Sequence, residues 1–359
     1  MGCSRSIMSS PKEIYHIIRE IGNKKNVCHS FLIRSTESNK EYAYKVMDAK
    51  ALSNSERKKI LNHFEILKKI NHPNIILLKY GGYSKDSKIL YEISEYVDGG
   101  DLQTKLNEQK QKKEYFEENT LLDWFIQICL ALKHLHSNNI LHRDIKPSNI
   151  FLIKENIAKL GNFGVAKELK SGLNYAKSKV STPQYLAPEI IENKKYTNKA
   201  DIWCLGLTFY QLIILDYPFE GITDEDKQNN ILEGNKKGIP DDCNIDKKFI
   251  EIINEMLSIK EDERPSINEI LENGIIRTRT ESYLTEKKFS FADSEKNIKE
   301  YEKQLEQEER RKIYIEEDNE IKEINDKIKT EKAKYDFHRQ MSLMAVEILK
   351  KSSTFSTKK

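Results

Sequence analysis

The chain has 359 residues, with 60 Lys and Arg against 57 Asp and Glu for a formal net charge of +3; this length suffices for one large two-lobed domain or two domains, with residues to spare. The near balance of charge excludes a dedicated nucleic-acid binder, which would show a basic excess. Five scattered cysteines, Cys3, Cys28, Cys129, Cys204 and Cys243, form no Cys-x-x-Cys pair, so a disulfide scaffold or zinc site is not expected and a reduced, intracellular setting is.

Residues 1 to 11 read as a separate N-terminal segment. Met1-Gly2-Cys3-Ser4-Arg5-Ser6 matches an N-myristoylation pattern, with Gly2 as acceptor after removal of Met1 and Cys3 beside it as a palmitoylation candidate. One myristoyl chain binds a bilayer weakly, and a second acyl chain converts that into stable residence. The expected localisation is the inner face of a membrane through these acyl chains, and cytoplasmic otherwise. No run of about 18 apolar residues is present to span a bilayer.

Short strands are expected at Ile14 to Ile21, Ser30 to Arg34 and Tyr42 to Met47, separated by polar or Gly/Asn turns. Ser53 to Ile70 carries helical spacing, with Ile60, Phe64, Leu67 and Ile70 on one face and Asn71-His72-Pro73-Asn74 as its stop. Strands resume at Ile75 to Tyr80 and Ile89 to Tyr96. After Asp101 the pattern becomes helical: Leu121 to His136, the strongly apolar Asp201 to Leu215, Lys248 to Leu257 and Ile267 to Leu271. The fold class is therefore α+β, with a sheet-rich first part followed by a larger helical one.

Beyond about Thr278 a third region begins. Phe289 to Lys350 is dominated by Glu and Lys and contains no Pro or Gly, which favours long helix. Ile321, Ile324, Ile328 and Tyr335 recur at heptad-like spacing, interrupted near Glu331. Two readings follow: a coiled coil that self-associates through residues 295 to 349, or a solvated helix that docks its sparse stripe on the main domain.

Ile140 to Leu152, "ILHRDIKPSNIFL", resembles the catalytic loop of eukaryotic protein kinases, His-Arg-Asp-x-Lys-x-x-x-Asn. Supporting signatures follow in chain order. Ala43-Tyr44-Lys45 resembles the nucleotide-contacting strand, Ala187-Pro188-Glu189 the close of the activation segment, Asp201-Ile202-Trp203 the large-lobe helix, and Arg264-Pro265 a late partner region. The resemblance covers residues 12 to 277, with a small lobe over 12 to 97 and a large lobe over 98 to 277. Lys146 and Thr182-Pro183 are similar to the serine/threonine branch. No calcium loop of the Asp-x-Asp-x-Asp-Gly type follows the domain, so no direct calcium regulation is expected.

The resemblance implies roles. Asp144 accepts or orients the acceptor hydroxyl proton and Lys146 lies near the transferred phosphoryl group. Asn149 ligates magnesium, and Lys45 pairs ATP phosphates. Gly22 and Lys24 fall in the phosphate loop; Ala43, Glu95, Val97 and Phe151 fall around the base. Between Gly164 and Ala187, Ser178 and Thr182 are the regulatory phosphorylation candidates, with Arg143 as a partner for an added phosphate. A protein substrate or partner is implied, with ATP and Mg2+ as cofactors if the chain is active.

The departures from the family pattern fall on the nucleotide chemistry. Asn162 stands at the metal-binding Asp of Asp-Phe-Gly, leaving an amide oxygen where a carboxylate would hold a hard cation, so it is at best a weak metal ligand. His63 stands where the helix Glu would pair with Lys45, and Glu65, two residues on, points elsewhere. "EIGNKKNVCHSF" keeps Gly22 but has Lys24 and Val27 for later glycines, and His29 where an apolar residue would cover adenine. The expectation is a pseudokinase acting as a membrane-anchored regulator or scaffold. The alternative is an active divergent serine/threonine kinase that transfers the ATP γ-phosphate to protein Ser or Thr; an impaired chain would bind nucleotide without metal, or none.

Overall fold

In a computed structural model of the chain, the residues described are 8–9, 13–21, 28–50, 52–68, 70–84, 88–153, 156–162, 167–168 and 182–286. They fall into two compact units. One holds the described residues up to Lys68 together with Leu78–Tyr96, and the other holds Lys69–Leu77 and Val97–Tyr283.

The first unit is one antiparallel sheet with a helix. Its strands are β1 (Met8–Ser9), β2 (Glu13–Glu20), β3 (Cys28–Ser35), β4 (Glu41–Asp48), β5 (Leu78–Ser84) and β6 (Ile89–Glu95). They lie in the order β1-β2-β3-β4-β6-β5. The pleat sends alternate residues to opposite faces. Tyr15, Phe31, Ile33, Tyr44, Val46, Ile89, Tyr91 and Ile93 close a buried cluster on one face, while Ala43, Lys45 and Met47 pair with Ser94, Glu92 and Leu90 on the other. Lys79 caps the edge of the aromatic cluster, its ammonium 4.2 Å from the Tyr42 ring centre and bonded to the Tyr42 hydroxyl at 3.0 Å.

Helix α1 (Asn54–Leu67) buries Phe64 and Leu67, two of the positions that the apolar spacing selects. The expected strand at Ile75 to Tyr80 is shifted. Ile75 instead bridges Leu160 in the second unit, and β5 runs on past Tyr80 through Gly81 and Gly82. A Cβ on Gly81 would lie 2.6 Å from the Phe64 ring. The glycine is there so that the helix can seat an aromatic directly on the strand.

The second unit is helical, built on α2 (Leu102–Lys112), α3 (Glu118–Ser137), α4 (Pro188–Ile191), α5 (Lys199–Ile214), α6 (Asp224–Glu233), α7 (Lys247–Met256), α8 (Ile267–Glu272) and α9 (Gly274–Glu286). It also carries short antiparallel pairs of β7 (Ile140–Leu141) with β10 (Lys167–Glu168) and of β8 (Ile150–Ile153) with β9 (Ile157–Leu160). Helix α5 is buried along its whole length, as its near-continuous apolar sequence demands, and Phe125 of α3 stacks edge-on against Phe209 of α5 and Phe249 of α7 at 5.0 and 5.2 Å. This is the α+β architecture expected from the hydrophobic pattern. Among the described residues no helix is long and apolar enough to cross a membrane. The acylation candidates Gly2 and Cys3 and the charged region from residue 287 on lie outside the described residues.

Candidate active site

The loop after β7 is held from below by one carboxylate. Asp201, in the first turn of α5 and buried, accepts the backbone N–H groups of His142 at 3.0 Å and Arg143 at 2.8 Å, and faces His136 Nε2 at 2.9 Å. Burial pushes the Asp201 carboxyl up, but the His136 contact and the backbone donors outweigh it and hold it below its usual range. Arg143 sits at φ 73°, in the left-handed region that residues other than glycine rarely adopt, and Asp201 grips the backbone at that point. His142 is fully buried: its Nε2–H donates to the Gly161 carbonyl at 3.0 Å and its Nδ1 accepts the Asp144 N–H at 3.3 Å. Both bonds suit the neutral ring, and burial drives its pKa down.

Asp144 is the centre of the network that this loop presents. Oδ1 accepts from the backbone and the hydroxyl of Thr182 at 3.2 and 2.9 Å; Oδ2 accepts from Asn149 Nδ2 at 2.8 Å and faces Lys146 Nζ at 3.0 Å. Burial raises the carboxyl's pKa, yet the Lys146 ammonium and the Thr182 bonds prevail and keep it ionised below the ordinary range. Lys146 also donates to the Thr182 hydroxyl. Thr182, a phosphorylation candidate from its position, therefore has its hydroxyl engaged by both Asp144 and Lys146. Ser178 lies outside the described residues.

Asn149 joins this network to Asn162. It ends a short 3-10 turn at Pro147–Asn149, is buried, and donates to the Asp144 carbonyl at 2.6 Å as well as to its carboxylate. Its remaining side-chain atom, Oδ1, accepts from Asn162 Nδ2 at 2.8 Å. Asn162 sits at φ 58°, a conformation that Asn tolerates better than most residues. Gly161 before it is clamped: a Cβ there would lie 2.6 Å from Ile76 and 3.0 Å from the Phe151 ring. Phe151 is thus packed on the backbone that leads into Asn162. The donor set for a cation here is two side-chain amides, one already hydrogen-bonded to the other. That does not fit a tightly held magnesium ion, which favours carboxylate.

In the first unit, Lys45 lies in β4 with its ammonium 3.7 Å from Glu92 Oε1 of β6. Ala43 shares its face, and Glu95 closes β6 opposite Tyr42; Val97 opens the second unit. His63 belongs to α1, and its side chain lies outside the described residues. Glu65 is exposed and pairs with Lys68 at 2.7 Å, turned to solvent as its helical position requires. His29 is a correction: it pairs with Val46, stacks on Phe31 at 6.4 Å, and faces Glu20 at 3.4 Å, on the side of the sheet opposite Ala43 and Lys45. One residue of register moves every side chain to the other face, so Ser30 occupies the Lys45 face instead. Gly22, Lys24 and Val27 lie outside the described residues.

Residues 15–276 match the protein kinase domain family. The chain belongs to the protein kinase family. Within it, the chain is 39% identical over 254 residues to serine/threonine-protein kinase Nek1 of Mus musculus, covering 71% of this chain and 21% of that protein. It is 35% identical over 272 residues to serine/threonine-protein kinase Nek5 of Homo sapiens, covering 76% and 37%. It is 33% identical over 275 residues to serine/threonine-protein kinase Nek2 of Homo sapiens, covering 75% and 61%. The chain thus spans between 21% and 61% of the length of these relatives.

Elsewhere in the second unit lies a buried ion pair. Arg264 forks onto Glu189 with bonds of 2.9 and 2.7 Å, and its other donors reach the carbonyls of Ser258, Ile259 and Lys199. Trp203 covers the guanidinium at 5.1 Å. This pair ties Glu189, which closes the activation segment, to the loop before α8. The Glu92 contact of Lys45 was missed in sequence because an acid alternating with apolar residues along a strand reads as ordinary solvent-facing polarity.

Proposed function

We propose that this chain is a serine/threonine protein-kinase-like protein whose phosphoryl transfer is impaired, and that it acts by presenting its kinase fold to another protein as a regulator or scaffold. The observation that carries the reading is the bond from Asn162 Nδ2 to Asn149 Oδ1 at 2.8 Å. It joins the two side chains expected to hold metal, and neither is charged. Val27 in the phosphate loop and His63 in the helix support the reading from the sequence. The purified full chain at physiological magnesium is expected to transfer no phosphate to itself or to a generic protein substrate above the background of an Asp144→Ala variant. Transfer that Asp144→Ala abolishes would overturn the proposal.

A second reading, an active divergent kinase that transfers the ATP γ-phosphate to protein Ser or Thr, is favoured by the intact Asp144, Lys146, Asn149 and Thr182 network. The relatives Nek1 and Nek5 are themselves named serine/threonine-protein kinases. ATP and Mg2+ are then the cofactors; in the impaired reading a nucleotide binds without metal, or none binds.

The Gly2 and Cys3 pattern supports membrane anchoring of the same protein through acyl chains. Metabolic labelling with a myristate analogue is expected to mark the chain and to fail on Gly2→Ala. Equal labelling of both would remove the anchor. Self-association through residues 295 to 349 is tested by sedimentation with and without residues 287 to 359, and a monomer in both cases would exclude it.

A further inference from the structure

We infer that Glu92 is the positioning residue for Lys45, supplying from the neighbouring strand the carboxylate that the helix position His63 does not, and that the pair thereby presents the lysine to the phosphates of a nucleoside di- or triphosphate. Lys45 and Glu92 are direct cross-strand partners in the β4–β6 register, so they share a face by construction of the pleat. Their charged ends are 3.7 Å apart, with side chains 32% and 26% exposed. On its other side Glu92 pairs with Gly81 of β5, and the space above that glycine is taken by Phe64 of α1. Glu92 thus stands in the ladder between Gly81 and Lys45, and its carboxylate meets the ammonium of the latter.

The chemistry suits an anion site. A lysine carries three donors and no acceptor. Attraction toward Glu92 at 3.7 Å restrains a side chain that otherwise samples many rotamers, and an ammonium so placed is presented to an incoming phosphate. Placing the acid on a strand ties this orientation to the β4–β6 ladder, which is continuous through both residues. The inference rests on the kinase reading of Lys45 as a phosphate contact; it does not depend on whether transfer survives.

The test is calorimetric titration of the full chain with ADP and with adenosine, in chelator, for the parent, Glu92→Gln and Glu92→Asp. Glu92→Gln keeps the shape and removes the charge. It is expected to weaken ADP by about three- to ten-fold, as befits a half-exposed ion pair, and to leave adenosine, which has no phosphate, unchanged within about two-fold. Glu92→Asp is expected to recover part of the ADP affinity. Equal losses for both ligands would mark Glu92 as merely structural and overturn the inference; so would an ADP affinity insensitive to Glu92→Gln, or a parent chain that binds neither ligand. A parent that binds neither ligand would leave the impaired-transfer reading standing. Conversely, robust transfer by a parent with the expected ADP pattern would overturn that reading and leave Glu92 in place.

Discussion

Asn162 donates its side-chain N–H to Oδ1 of Asn149 at 2.8 Å, and Asn149 in turn donates to Asp144. A carboxylate at 162 could not make the first of these bonds, because an ionised acid has no proton to give. The amide thus does more than remove a charge: it closes the loop from Asp144 to Asn162 with protein groups alone.

Asn162→Asp reverses this. The variant loses the donor to Asn149 and places a carboxylate beside its oxygen, which favours a divalent cation between them. In a thermal-shift titration with ATP, manganese is expected to raise the midpoint of Asn162→Asp by several degrees more than that of the parent. Identical manganese responses would show that position 162 does not govern metal handling.

The Arg264–Glu189 pair is buried and forked, so removing one partner strands a charge. Glu189→Gln is expected to lower stability by about 3 kcal/mol in urea unfolding, while Glu189→Leu with Arg264→Met loses much less than the sum of its single changes. Additive losses would show that the two residues stabilise the fold independently.

His72 gives a pH dependence of definite sign. Burial, then the neighbouring His134 and Lys159, lowers its pKa from 6.5 to about 4, and its Nδ1 accepts the Asn74 N–H at 3.1 Å. The folded state therefore resists protonating it, so its contribution is complete above pH 6.5 and is lost as pH falls toward 4. His72→Asn, whose oxygen can take the same N–H, is expected to match the parent near pH 7.5 and to lose about 2 kcal/mol less between pH 6.5 and 4. Parallel stability curves would refute the assignment.

Helix α9 is fastened by Arg279, which forks onto Asp123 of α3 at 2.7 and 2.9 Å. Arg279→Ala is expected to cost about 1 to 2 kcal/mol and to speed hydrogen exchange through Gly274–Glu286 while leaving β4 and β6 protected. Unchanged exchange in α9 would show that its packing, not the ion pair, holds it.

The catalytic-loop motif and the long helices were legible because their signals are dense: Asp144, Lys146 and Asn149 fall in one short run, and α5 is apolar throughout. Helices α2 and α6 were not anticipated, since α2 buries only Leu102 and Leu106 and α6 only Ile231, too few for a stripe. The face taken by His29 depends on strand register, which no local pattern fixes. Glu92 and Thr182 were recognisable as polar residues, but their partners Lys45 and Asp144 lie far away in sequence, and only the ladder and the loop bring them together.

The account turns on whether the Asn162–Asn149 site still uses metal, and calorimetric titration of the parent chain with ATP tests that most directly when run in magnesium and again in chelator. ATP is expected to bind with the same affinity, within about two-fold, in both. A ten-fold or greater tightening by magnesium would contradict the account, because it would mean that the two amides hold the cation against the phosphates after all.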